Sequence, residues 1–85
     1  MREVRAVTAV VLVPLTPVQQ RVLAEIRGFV DEYGYAPTLR ELAARCGRGP
    51  STVAYQLQQL EEKGRIRRYP KIPRALVVLD VAGGS

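Results

Sequence analysis

The chain carries the same helix-start box twice, once as Thr16-Pro-Val-Gln19 and once as Thr38-Leu-Arg-Glu41. In this box the threonine hydroxyl accepts from the backbone N–H three residues on, and the Gln or Glu side chain accepts from the threonine's own N–H. Each start is followed by apolar residues at helical spacing and closed by a glycine. The punctuation therefore predicts three short helices ending near Gly34, Gly47 and Gly64.

The first helix opens at cap Thr16 with Pro17 in the first helical position, where a missing N–H costs nothing. Val18, Val22, Ile26, Phe29, Val30 and Tyr33 recur on one stripe and are expected in the core. Gly34 to Pro37 form an extended turn, since Pro37 disfavours helix at Ala36. The second helix runs from Thr38 to Cys46, with Leu39, Leu42, Ala43 and Cys46 facing inward. Arg48-Gly49-Pro50 form the turn. Ser51 is the expected cap of the third helix, 51–63, whose Val53, Leu57 and Leu60 make a core stripe.

Two short strands are expected at 65–69 and 75–79, joined by a rigid, basic, polyproline-like connector, Pro70-Lys-Ile-Pro-Arg74. Two helices in a tight turn with a basic hairpin behind them are the pattern of a winged helix-turn-helix. The expected fold is thus mainly α with a small antiparallel β-hairpin: three helices plus a wing. Residues 15–80 would form this domain, with a β-prone extension at 1–14 and a small-residue tail at 81–85. Within the extension, residues 4–13 are apolar and β-branched, too short to span a bilayer and without a signal-peptide layout. They read as an extra N-terminal strand that adds to the wing sheet or pairs with a second copy of the chain. A later translation start, which would leave them outside the fold, is the third reading.

Charge says where a partner would bind. The formal net charge is +5, and residues 48–74 hold seven Lys/Arg against only Glu61 and Glu62. A polyanion-binding face is the natural reading, with a solvated basic surface as the plainer one. The third helix has a second face, Thr52, Tyr55, Gln56 and Gln59, that is polar without being charged. Such side chains suit base edges: Gln pairs with adenine, and Thr offers a hydroxyl or packs its methyl on thymine. Around it stand candidate phosphate contacts. Thr38 and the amides of its helix start are one, Arg40 and Arg48 flank them, and Arg67, Arg68, Lys71 and Arg74 lie on the hairpin.

An enzyme is not expected. The chain has no histidine, its Ser and Lys residues form no recognisable motif, and one cysteine builds neither a structural zinc site nor an internal disulfide. No metal or cofactor is expected, and the lone Cys46 fits a cytoplasmic location.

The runs Thr16-Pro-Val-Gln-Gln-Arg-Val-Leu, Ala36-Pro-Thr-Leu-Arg-Glu-Leu-Ala, Ser51-Thr-Val and Leu57-Gln-Gln-Leu-Glu-Glu-Lys-Gly-Arg-Ile-Arg-Arg, then Pro73-Arg-Ala, resemble the N-terminal DNA-binding domain of LexA repressors over about residues 15–79. The resemblance implies base contacts near Ser51, Thr52, Ala54 and Tyr55, and phosphate contacts from the wing around Lys71 and Arg74. The apolar extension at 1–14 lies outside the family's pattern, and three further departures limit the resemblance. The turn between the second and third helices is one residue shorter than in typical members. Ala54 and Tyr55 are unusual at reading positions, so the family's usual operator does not carry over. The family's self-cleaving Ser/Lys dyad has no counterpart in these 85 residues, so autoproteolysis is not expected of them. The expected function is a sequence-specific double-stranded DNA-binding transcriptional regulator, a repressor by resemblance. It would act as a homodimer through 4–13 and have no membrane partner. A winged-helix module that binds polymerase or replication proteins is the alternative.

Overall fold

In the computed structural model, which describes residues 14–69 and 71–79, three helices and a two-stranded hairpin follow one another along the chain. The helices are α1 (Pro17–Tyr33), α2 (Leu39–Cys46) and α3 (Pro50–Glu62); the strands are β1 (Ile66–Arg68) and β2 (Leu76–Val78). This is the expected architecture of three helices and a wing. The N-terminal strand and the dimer contact expected at 4–13, and the tail at 81–85, lie outside the described residues. Among those described, no helix is long and apolar enough to cross a membrane.

Both start boxes form. Thr16 Oγ1 accepts from Gln19 N at 3.1 Å while Gln19 Oε1 accepts from Thr16 N at 3.1 Å. Thr38 Oγ1 and Glu41 Oε1 repeat the exchange at 3.2 and 2.9 Å. Gly34 and Gly47 close α1 and α2 at φ 81 and 67°, a conformation that a Cβ makes costly.

The start of α3 differs from expectation. Gly49, not Ser51, is its N-cap, no side chain caps it, and Pro50 is its first residue, leaving Ser51 one step inside. Proline needs no N–H at that position and glycine is tolerated at a cap, so the Gly-Pro pair starts the helix one residue before the serine could.

The core gathers Val22, Leu23 and Ile26 of α1, Leu42, Ala43 and Cys46 of α2, Val53, Leu57 and Leu60 of α3, and Ile66 of β1. Val18 packs against it half-buried. Three residues expected inside are not. Val30, Tyr33 and Leu39 are 37%, 49% and 39% exposed, although each lies on the predicted face of its helix. The faces are right, but the partners run out. Val30 borders an open groove against β2, Tyr33 meets Phe29 in a tilted pair 4.5 Å between ring centroids, and Leu39 opens α2 beside the wing turn. Leu23, outside the predicted stripe, is buried in their stead.

The hairpin is antiparallel, with Ile66 opposite Val78, Arg67 opposite Val77 and Arg68 opposite Leu76. The strands are three residues each, shorter than predicted, with Tyr69 N to Ala75 O (2.9 Å) and Leu79 N to Arg65 O (2.8 Å) extending the pairing. The described part of the connector, 71–74, is not polyproline-like. Ile72 N bonds Tyr69 O, Ala75 N bonds Ile72 O, and Arg74 takes a left-handed φ of 60°. Reversing the chain between paired residues Tyr69 and Ala75 requires turns that an extended connector cannot make.

Candidate nucleic-acid interface

The first turns of α3 carry the exposed side chains of Ser51, Thr52 and Tyr55, the last 58% exposed. They stand on the helix face opposite Val53, Leu57 and Leu60, which are buried. Ala54 and Gln59 are half-buried at the margins. Gln56 is also partly enclosed: its Oε1 is buried and accepts no hydrogen bond among the described residues, so its carbonyl is turned away from the open face. The structure thus groups Ser51, Thr52 and Tyr55 as one outward set and leaves Ala54 and Gln56 beside it. The acidic Glu61 and Glu62 are exposed at the other end of the helix.

The basic residues divide into free and engaged. Arg40 in the first turn of α2, Arg48 after its end, Arg67 on the outer face of β1 and Lys71 in the wing turn are all exposed. Arg68 points the other way along β1, and its Nε donates to Glu61 Oε1 at 3.2 Å. Thr38 already uses its hydroxyl oxygen to accept from Glu41 N. Leu39 and Arg40, between the two boxed amides, are the first-turn N–H groups left to an anion.

Arg74 is the most heavily engaged. Its Nη1 and Nη2 donate to Glu41 Oε1 and Oε2 at 2.8 and 2.9 Å, and Nη1 donates to Ala36 O at 2.9 Å. Its guanidinium lies 4.5 Å from the Tyr35 ring centroid. The Arg74 hydrogen bond first, and the Thr38 N–H second, hold the Glu41 carboxyl down to about 2. In the sequence Glu41 reads only as a cap and Tyr35 only as a turn residue. Nothing at helical or strand spacing joins them to Arg74, which lies 33 residues beyond Glu41.

Elsewhere the charges hold helices together. Arg45 of α2 bridges Glu25 and Glu32 of α1 at 3.1 and 3.0 Å and lies 5.5 Å from the Phe29 ring. Burial pushes the Cys46 thiol up, away from thiolate reactivity. Among the described residues no cluster of His, Cys, Asp or Glu could hold a metal ion.

Comparison with known proteins adds the family. The LexA DNA binding domain matches residues 12–75. A LexA repressor of Frankia casuarinae is 52% identical over 68 residues, which are 79% of this chain and 27% of that protein. One of Nocardioides sp. is 51% identical over 65 residues, 75% of this chain and 26% of that protein. One of Mycobacteroides abscessus is 46% identical over 72 residues, 81% of this chain and 32% of that protein. The chain therefore spans about 26–32% of the length of these curated relatives.

Proposed function

The chain belongs to the LexA DNA-binding domain family, and from that membership we propose that it is a sequence-specific double-stranded DNA-binding transcriptional regulator of the repressor kind. α3 lies in the major groove with Ser51, Thr52 and Tyr55 toward base edges and Ala54 and Gln56 alongside. The wing follows the backbone, with Arg67 and Lys71 on phosphates. Arg40, Arg48 and the amide end of α2 at Thr38 take neighbouring phosphates.

One observation carries this reading. The first turns of α3 carry an exposed, uncharged set, the neighbouring α2, helix-helix turn and wing carry exposed Arg40, Arg48, Arg67 and Lys71, and the acidic residues sit at the helix's far end. Neutral polar groups discriminate bases, and basic ones supply affinity without sequence preference. Two copies of so small a reader on a repeated site would raise both affinity and specificity, as half-site pairs do in dimeric helix-turn-helix proteins.

Selecting bound duplexes from a random pool tests the proposal. The expected result is an enriched motif, bound with a log–log salt slope of about −4 from four phosphate contacts. Half-site spacing in that motif reports whether two copies bind. No enrichment, together with no duplex affinity at low salt, removes the DNA reading in favour of a protein-interaction module.

A further inference from the structure

We propose that Arg74 is a positioning residue and not a phosphate contact: through Glu41 and Tyr35 it clamps the wing turn onto the start of α2, setting where the wing stands relative to α3. The inference rests on the DNA-binding reading for its consequence, but not for its geometry.

An isolated two-stranded hairpin is marginal in water, and each strand here has only three residues. The base of the wing is anchored by Ile66, which is 2% exposed, with Leu76 and Val78 packed beside it. The turn lies at the other end, and Ile72 within it is 60% exposed. At that end Arg74 supplies two bonds to a carboxylate, one to a backbone carbonyl and a cation–π contact, all to residues before or within α2. A guanidinium fork matches a carboxylate in this bidentate way, and a lysine does not.

The backbone agrees. Arg74 is the non-glycine residue with positive φ among those described. Such a conformation is unfavourable for a residue with a Cβ and persists where the surroundings over-determine it. The charges agree as well. Glu41 sits in the first turn of α2, where its negative charge would oppose a phosphate, and Arg74 cancels it. A cation so paired, with one face over a ring, has little charge left for the DNA backbone.

Glu41→Gln separates the clamp from the cap. Gln serves in the identical box at Thr16 and Gln19, so the helix start survives while the ion pair goes. We would measure Glu41→Gln, Arg74→Lys, Arg74→Ala and the double variant Glu41→Gln/Arg74→Ala against a labelled duplex enriched from a random pool, alongside trypsin cleavage after Lys71 without DNA. Under the proposal each single variant binds about three- to tenfold more weakly, and Arg74→Lys and the double variant, which keep the net charge, retain the wild-type salt slope, because preorganisation is lost and not a phosphate contact. The double variant is no weaker than Arg74→Ala, Arg74→Lys fails to rescue, and cleavage after Lys71 is faster in all four. The proposal is overturned if the charge-neutral double variant loses affinity with a slope reduced by about 0.9 while Glu41→Gln binds as well as wild type. It is equally overturned if wing cleavage is unchanged in Glu41→Gln. Failure of the wild-type chain to bind any duplex removes the DNA reading instead, and the cleavage arm still decides the clamp.

Discussion

Lys63 Nζ lies 2.6 Å from Oε1 of Gln19, joining the end of α3 to the cap of α1. The same ammonium donates to Pro14 O at 2.9 Å. Gln19 thereby does two jobs with one oxygen, accepting from Thr16 N within its own box and from Lys63 across the core's edge. Its side chain is 4% exposed, which a glutamine accepts only when its polar atoms are satisfied.

Gln19→Ala should therefore cost about 1–2 kcal/mol, the loss of a capping interaction together with an inter-helix bond. Lys63→Met should cost less than about 1 kcal/mol, because Gln19 keeps its Thr16 partner and the methylene stem is retained. Urea unfolding of the two variants measures both. Equal losses would mean that the lysine bond, and not the box, is what Gln19 contributes.

Acid should weaken the fold through Glu41. Its carboxyl is held at about 2 against an ordinary 4.5, first by Arg74 and then by the Thr38 N–H. A carboxylate whose pKa is lower folded than unfolded adds stability above the unfolded value. That contribution fades as the pH falls toward the folded value. The wild-type chain should accordingly lose stability between about pH 4.5 and 2, and Glu41→Gln should show a shallower decline over that window. Glu25, lowered first by its Arg21 hydrogen bond and also by Arg45, still titrates in the variant, so some decline remains. Urea midpoints taken at intervals from pH 5 downward follow the difference. Parallel curves for the two proteins would rule out Glu41 as a source of the acid sensitivity.

Ile66 ties the wing to the core, and the size of its side chain should matter. It is 2% exposed and packs in one cluster with Leu57 and Leu60 of α3. Ile66→Val removes one methylene and should cost about 0.5–1.5 kcal/mol, whereas Ile66→Ala leaves a cavity and should cost about 2–5 kcal/mol. Against the ~5–15 kcal/mol that holds a small domain folded, the larger loss consumes much of the margin. Thermal melts of the three proteins should rank wild type, valine and alanine in that order. An alanine variant as stable as the valine one would mean that the site collapses around the missing atoms.

Local chemistry made much of this fold legible. Thr16 with Gln19, Thr38 with Glu41, and the glycine stops act within three or four residues, and Val53, Leu57 and Leu60 follow the helix period. The start of α3 differs from the expected one because Gly49-Pro50 and Ser51 are competing local signals one residue apart. The exposure of Val30, Tyr33 and Leu39 depends on where neighbouring elements end, which no periodicity encodes. At the interface, the outward set Ser51, Thr52 and Tyr55 could be read from helix geometry. The division between free and engaged arginines could not, because Arg68–Glu61 and Arg74–Glu41 depend on how the hairpin folds back over two helices.

That division sets what substitutions in the basic face should do. Arg67 and Lys71 are exposed and unengaged by any ion pair among the described residues, so each replacement by Ala should weaken all duplexes alike and lower the salt slope by about 0.9. Arg68→Ala should lower it by less, because its guanidinium already answers Glu61. Thr52→Ala and Tyr55→Ala should behave differently from all three. They leave the slope unchanged and relax preference at individual base pairs, by about 1–3 kcal/mol where a good base contact is lost. Binding isotherms at several salt concentrations, on an enriched duplex and a scrambled one, separate the two classes. Uniform weakening by Thr52→Ala and Tyr55→Ala across both duplexes would mean that the exposed face of α3 touches the backbone, and that the bases are read by some other element.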